Sequence, residues 1–368
     1  MKLRYKILSG FVGVIVVAIT GLAITLSYTT DCADIQQQAS TSGGMKAVAQ
    51  YCYGSSAQLK IEQVEKPTPL ENEVLVKIHR AAVNPLDYHM MRGSPYMLRL
   101  SRGIGHPERS IMGADFSGTV EAVGSKVTKF KPGDAVFGGT RGSYAEYLTI
   151  ADHRAIAIKP DNVSFEQASA VSVASATALQ ALRDHGQLKP GQKVLINGAS
   201  GGVGTYAVQI AKALGAEVAG VCSTRNVERV KAIGADKVFD YKKENYIESG
   251  EKFDLIVDMV SNHSIGDNRK ALKPGGRYVI VGGAKGNWLG PLTRPLGAMI
   301  QNSFVDEELV FFVANLNQSD TEYLAELMAK DQVKSVIDRV YEFEQIPEAI
   351  SYSETGRARG KIIIKVAD

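Results

Sequence analysis

The feature that most constrains this chain is a glycine-rich run between an apolar β-type stretch and a helical one, Lys193-Val-Leu-Ile-Asn-Gly198-Ala-Ser200-Gly201-Gly202-Val203-Gly204. A strand that turns sharply into a helix through glycines brings bare backbone NH groups and a helix N-terminus to one point, which suits a pyrophosphate. In a G-x-G-x-x-G register Ala199 replaces the first glycine, while Gly201 and Gly204 fall in place. Gly201 and Gly202 let the backbone approach phosphates, and Gly204 lets the helix pack on its strand. A bound dinucleotide is therefore expected.

The flanking text meets the same demand. Strand-like stretches at 193–197, 217–222, 237–241, 253–259 and 277–281 alternate with helical ones at 202–214, 226–233 and 263–272. That alternation predicts an α/β fold with a doubly wound parallel sheet. An NAD site wants a carboxylate at the end of the second strand, about 20 residues past the loop. Here that place reads Cys222-Ser223-Thr224-Arg225. Hydroxyls and a guanidinium suit a 2′-phosphate, so NADPH is expected in preference to NADH.

Residues 45–161 read differently, as short β-like runs broken by Gly and Pro, and predict a strand-rich domain without long helices. Residues 162–186 read as helical, and after the parallel-sheet stretch come strands at 311–315, 335–341 and 361–366 with helices at 321–329 and 346–353. Across the 368 residues, 42 Lys and Arg face 39 Asp and Glu, a balance that argues against a nucleic-acid groove. Three cysteines cannot build a disulfide framework or a four-thiolate zinc lobe.

The N-terminus carries a different signal. From Ile7 to Tyr28 there is no charged residue, and Lys2, Arg4 and Lys6 precede the run. About 20 apolar residues cross a bilayer, whereas a secretory signal has a shorter apolar centre and a small-x-small cleavage site. Residues 1–30 are expected to be an uncleaved, single-pass membrane anchor. Residues 31–44, rich in Gln, Ser, Thr and Gly, read as a flexible linker, so the anchor is expected not to pack on the rest. The positive-inside rule places everything after Tyr28 across the membrane. The supply of NADPH argues for the cytoplasmic side, which is preferred.

The stretch 191–212 is similar to the glycine-loop signature of the medium-chain dehydrogenase/reductase superfamily, in its zinc-free quinone oxidoreductase, or zeta-crystallin-like, branch. Met45-Lys-Ala-Val resembles the first strand of that branch, Lys131-Pro-Gly-Asp-Ala-Val its Gly-Asp turn, and Gly356-Arg-Ala-Arg-Gly-Lys361 its closing segment. The resemblance covers Met45 to the C-terminus. It implies a GroES-like β-barrel catalytic domain over 45–161, completed by 315–368, with a Rossmann NADPH-binding domain inserted at 162–314 and substrate in the cleft between them. It also implies that Ser200, Gly202 and Val203 contact the pyrophosphate and that Ser223, Arg225 and Tyr241 hold the 2′-phosphate. Tyr241 reads equally as a half-buried strand aromatic. Val260, Val281 and Gly282 follow strands where the nicotinamide side should pass, and Arg359 is a further candidate cofactor contact.

Zinc-dependent relatives carry a Cys after an early strand, a Gly-His-Glu motif and a later Cys or Asp. Here those places read Val83-Asn84-Pro85, Gly113-Ala114-Asp115 and Val173, so no metal is expected. Without zinc to lower an alcohol's pKa, alcohol oxidation is disfavoured. Reduction of a quinone or an α,β-unsaturated carbonyl asks only for hydride delivery, a polarised oxygen and exclusion of water. Candidate catalytic residues are Asn84 as a donor to a carbonyl, Asp87, Tyr96 and Thr177. Asp87 reads equally as a turn cap. Tyr96 lies one residue past the place where related enoyl reductases carry a tyrosine. The arginine-containing stretch 98–109 either covers the cleft or forms a basic patch. The chain is thus expected to be a membrane-anchored NADPH-dependent oxidoreductase, assembled as a homodimer. A non-catalytic NADPH-binding membrane scaffold and an enoyl-thioester reductase are the alternatives.

Overall fold

The strand Glu73–Val83 organises the first half of the molecule. Its Val74, Val76 and Ile78 pack with Phe116, Val120, Val136 and Leu148 in one apolar core. Its flank is shared: residues 73–77 pair with Tyr147–Ala151, whereas residues 80–83 pair with Lys361–Lys365 from the C-terminus. The resulting seven-stranded sheet runs Ile337–Glu342, Lys361–Lys365, Glu73–Val83, Asp115–Val123, Ala135–Gly139 and Ile156–Ile158, with Tyr147–Ala151 off this path. The coordinates are those of a computed structural model, which describes residues 17–30, 44–108, 110–283, 286–288, 290–302 and 305–367.

The second half is a six-stranded parallel sheet in the order Lys237–Asp240, Glu217–Cys222, Lys193–Asn197, Phe253–Asp258, Leu272–Ile280, Glu308–Phe311. The chain winds outward from Lys193–Asn197 through two strands and then returns to its other side. A crevice opens at such a reversal, beyond the carboxyl ends of the strands. Val194 to Ile196 are fully buried, as a central strand covered on both faces requires.

Two expected elements moved. The helical stretch 162–186 is broken into Phe165–Ser169, Ser172–Leu179 and a wider helical turn at Gln180–His185. The strand expected at 311–315 lies at Glu308–Phe311, because parallel pairing with residues 277–280 sets its register. The helix Gln318–Ala329 packs Leu324, Leu327 and Met328 into one core with Leu179 and Leu182. It therefore joins the parallel-sheet half at the junction.

The expected anchor lies partly outside the described residues, and all of the linker 31–44 except Gly44 lies outside them. Residues 17–27 are helical, and among the described residues no helix is long and apolar enough to cross a membrane. The expectation that this segment does not pack on the rest is corrected. Leu26 is buried, Thr30 N donates to Gly105 O at 2.9 Å, and Arg99 Nη1 donates to the carbonyls of Leu26 and Tyr28 at 2.9 and 2.8 Å. Carbonyls at a helix C-terminus lack partners within the helix, and a nearby guanidinium satisfies them. Cys222 is free, while Cys52 is disulfide-bonded to a partner outside the described residues.

Candidate active site

Gly198 takes φ +95°, a conformation that costs other residues strain, and so aims the chain from the strand end into the loop. A Cβ on Gly204 would sit 2.1 Å from Gly198 O and 2.8 Å from Ala199 Cα. Only glycine permits this contact between helix and loop. The helix Gly202–Ala213 then starts with its amides facing a cleft of about 600 Å³ at the reversal of the sheet. Ser200, Gly201, Gly202 and Val203 line that cleft, whereas Gly204 lies beneath it.

At one end of the cleft stand Ser223, Arg225 and Tyr241, the three candidates for a 2′-phosphate. Tyr241 is exposed, so it is not a half-buried strand aromatic. The neighbouring Cys222 is no nucleophile, because burial pushes its thiol up to about 11. Sequence reasoning missed Asn226. This buried side chain donates through Nδ2 to Ser200 Oγ and Ser223 Oγ, both at 3.1 Å, and its Oδ1 has no partner among the described residues. It aligns two hydroxyls that the sequence had identified separately. The opposite wall comes from the closing segment, including Arg359 and Lys361. Arg229 Nη1 donates to Arg359 O at 2.7 Å and so ties that wall to the parallel-sheet half. A dinucleotide fits this donor set, with backbone amides at its centre and a guanidinium at one end.

The floor of the cleft is a buried polar cluster. Asn84 lines it, but its amide is already committed: Nδ2 donates to Asp115 Oδ2 at 3.0 Å, and Oδ1 accepts from Lys361 Nζ. Lys361 Nζ also lies 3.1 Å from Asp115 Oδ2, with the two side chains 2% and 0% exposed. Asp115 Oδ1 accepts from Val173 N at 2.8 Å. These residues do not fit a zinc ion. Ala114 and Val173 offer no side-chain donor, and an ammonium already sits between the remaining oxygens.

Asp87 lies behind this floor and caps the helix Pro85–Arg92, accepting from Asn84 N at 2.7 Å and from Tyr144 OH at 2.9 Å. Burial pushes its carboxyl up to about 7, and burial with the adjacent carboxylate pushes the Tyr144 phenol up as well. The folded state thus holds this proton more tightly than the unfolded chain, in which an Asp titrates near about 3.9. The stability it contributes is full below about pH 4 and is lost as pH rises through about 7. In Asp87→Asn one oxygen still accepts both donors. Its melting temperature relative to the unaltered protein should therefore climb between about pH 4 and 7, and a difference that stays flat would refute the shift.

Of the remaining candidates, Thr177, Val281, Gly282 and Tyr96 do not line the cleft. Thr177 Oγ1 donates to Val173 O at 2.7 Å within its own helix. Val281 and Gly282 sit one strand beyond Val260, with their amides on Asp258 O. Val260 itself lines the cleft. Tyr96 belongs to a clasp between the halves: its N donates to Asn287 O at 2.8 Å, its ring meets Trp288 edge-on at 4.8 Å, and Ser94 Oγ donates to Asn287 Oδ1 at 2.7 Å.

Comparison with known proteins places this architecture. A family model described as zinc-binding dehydrogenase matches residues 233–364, and one described as alcohol dehydrogenase GroES-like domain matches residues 70–161. A 2-methylene-furan-3-one reductase of Solanum lycopersicum is 33% identical over 361 residues, covering 93% of this chain and 84% of that protein. A quinone oxidoreductase of Homo sapiens is 32% identical over 335 residues, covering 87% and 97%. The solved quinone oxidoreductase of Coxiella burnetii superposes with a TM-score of 0.77 at 30% identity, covering 88% of this chain and 99% of its own. The strand-rich half is the GroES-like domain and the parallel sheet is the Rossmann-like one. With the glycine loop, the committed floor and these likenesses together, the chain belongs to the medium-chain dehydrogenase/reductase superfamily, in its NAD(P)H-dependent quinone oxidoreductase branch.

Proposed function

We propose that this protein is a membrane-anchored, zinc-independent, NADPH-dependent reductase of quinones or α,β-unsaturated carbonyls, working as a homodimer. The observation that carries the cofactor reading is the end of the cleft at Ser223, Arg225 and Tyr241, where hydroxyls and a guanidinium stand and, among the described residues, no carboxylate lines the wall. NADPH, when bound, supplies the hydride. The chain's own part is to hold the pyrophosphate on the amides of residues 201–203, to keep Ser200 and Ser223 aligned through Asn226, and to exclude water by closing residues 356–362 over the cleft. The substrate reading draws on the names of the tomato and human relatives, a furanone reductase and a quinone oxidoreductase. It also draws on a floor that cannot hold a metal to acidify an alcohol. The anchor reading draws on the uncharged run from Ile7 to Tyr28.

The test is NADPH oxidation by the full chain with a panel of quinones, enones and saturated alcohols in the reverse direction, alongside sedimentation for the dimer. Turnover on quinones or enones, with alcohols inert, is the expected result. Thermal stabilisation by NADPH with no turnover on any acceptor would overturn the reading in favour of a cofactor-binding scaffold.

A further inference from the structure

Arg99 is 3% exposed, and no carboxylate pairs with it among the described residues. Its guanidinium faces carbonyls instead: Nε donates to Gly93 O at 2.9 Å, and Nη1 donates to Leu26 O and Tyr28 O. The rings of Tyr53 and Tyr96 flank it, with centroids 4.6 and 4.4 Å away. Burying a guanidinium is costly unless its donors are satisfied, and two of the carbonyls that satisfy it end the helix 17–27. Gly105, at φ +84°, leaves the space of a side chain to the Thr30 hydroxyl and the Tyr28 ring. Residues 26–30 are thus seated on the stretch 93–105.

What projects from that seat is apolar and bare. Val17, Ile19, Leu22 and Ile24 are each more than half exposed. The sequence behind them stays uncharged back to Ile7. A helix apolar on every side belongs in hydrocarbon. Beside the seat, Met97, Leu100 and Ile104 are about half exposed, and Trp288 stands across the clasp against Tyr96. The clasp also locates the seat relative to the cleft. Asn287 and Trp288 follow the strand Leu272–Ile280, three strands across the sheet from Glu217–Cys222 and the 2′-phosphate end. The seat therefore lies toward the side of the sheet away from the 2′-phosphate end.

We infer that Arg99 and the segment 26–30 hold the lipid bilayer against the mouth of the cleft, so that Met97, Leu100 and Ile104 enter the lipid surface and the substrate is drawn from the bilayer. The occupant is a bilayer because the uncharged run that must lie in one ends on this face. The inference rests on the anchor reading above and narrows its substrate to a lipophilic quinone or enone. Exposed apolar side chains beside an anchored helix lower the cost of entry for such a molecule, as they do for other surface-bound proteins.

The chain holds one tryptophan, so Trp288 is a clean reporter. The full chain is reconstituted in phosphatidylcholine–phosphatidylglycerol vesicles in which a share of the lipids is brominated near the headgroup. The expected results are sedimentation with the vesicles and quenching of Trp288 emission. The Met97→Glu, Leu100→Glu, Ile104→Glu triple variant changes only exposed positions. It should still sediment and still reduce a short water-soluble quinone, yet lose the quenching and the turnover of a long-chain quinone held in the vesicles. Sedimentation of the unaltered chain without quenching would overturn the inference and leave the anchor reading standing. Failure to sediment would overturn both. Efficient cross-linking of Ile104→Cys chains to one another would give this face to a second copy and overturn the inference.

Discussion

Lys361→Met is expected to destabilise the protein by about 3–5 kcal/mol, the usual cost of removing one partner from a buried ion pair. Asp115 is fully buried, and its carboxylate would keep only Asn84 Nδ2 and Val173 N as donors. Two hydrogen bonds do not replace the ammonium that balances a buried charge, so the loss costs free energy. Chemical denaturation monitored by circular dichroism measures the loss, and adding Asp115→Asn to the Lys361→Met chain should recover part of it. A midpoint unchanged by Lys361→Met would mean that water reaches Asp115. The substitution has a second consequence, because Lys361 begins the strand that pairs with residues 80–83. Loosening it shifts Asn84 and the closing wall together, so cofactor affinity should fall along with stability.

Arg225→Ala should weaken NADPH binding by about tenfold to a hundredfold, the worth of roughly 1.5–3 kcal/mol for a hydrogen bond to a charged group. NADH binding should hardly change, since it lacks the 2′-phosphate. Arg225 is exposed, so the folded state should survive. Isothermal titration with both nucleotides reads the ratio directly. Equal losses for the two would remove the guanidinium from the phosphate and with it the case for NADPH over NADH.

The parts of the site that could be read in the sequence are those whose chemistry is carried by neighbours along the chain. Gly198 to Gly204 is one continuous turn, and each glycine answers a local demand for backbone room. Ser223 and Arg225 stand at the end of a strand whose apolar run is plain. The parts that stayed hidden depend on residues far apart. Asp115 and Lys361 are 246 positions apart, and nothing near either residue announces the other. Asn226 was missed although it follows Arg225, because its amide turns back toward two hydroxyls, one of them 26 positions away. Asp87 shows the reverse. Its position after Asn-Pro suggested either chemistry or a cap, and the hydrogen bond from Asn84 N settles its structural part. Tyr96 was visible as a tyrosine in a loop, but its partners Asn287 and Trp288 lie on the other half of the chain. The seating of residues 26–30 was unreadable for a related reason: the linker composition describes how far a segment can wander, and a single arginine decides where it stops.

The bond from Arg229 to Arg359 O has a kinetic side. One wall of the nucleotide cleft belongs to the parallel sheet and the other to the chain's final loop, which is rooted in the strand-rich half. A nucleotide seated between these walls touches both halves of the molecule. A hydrogen bond between the two walls opposes their separation, and so should slow release of a nucleotide held between them.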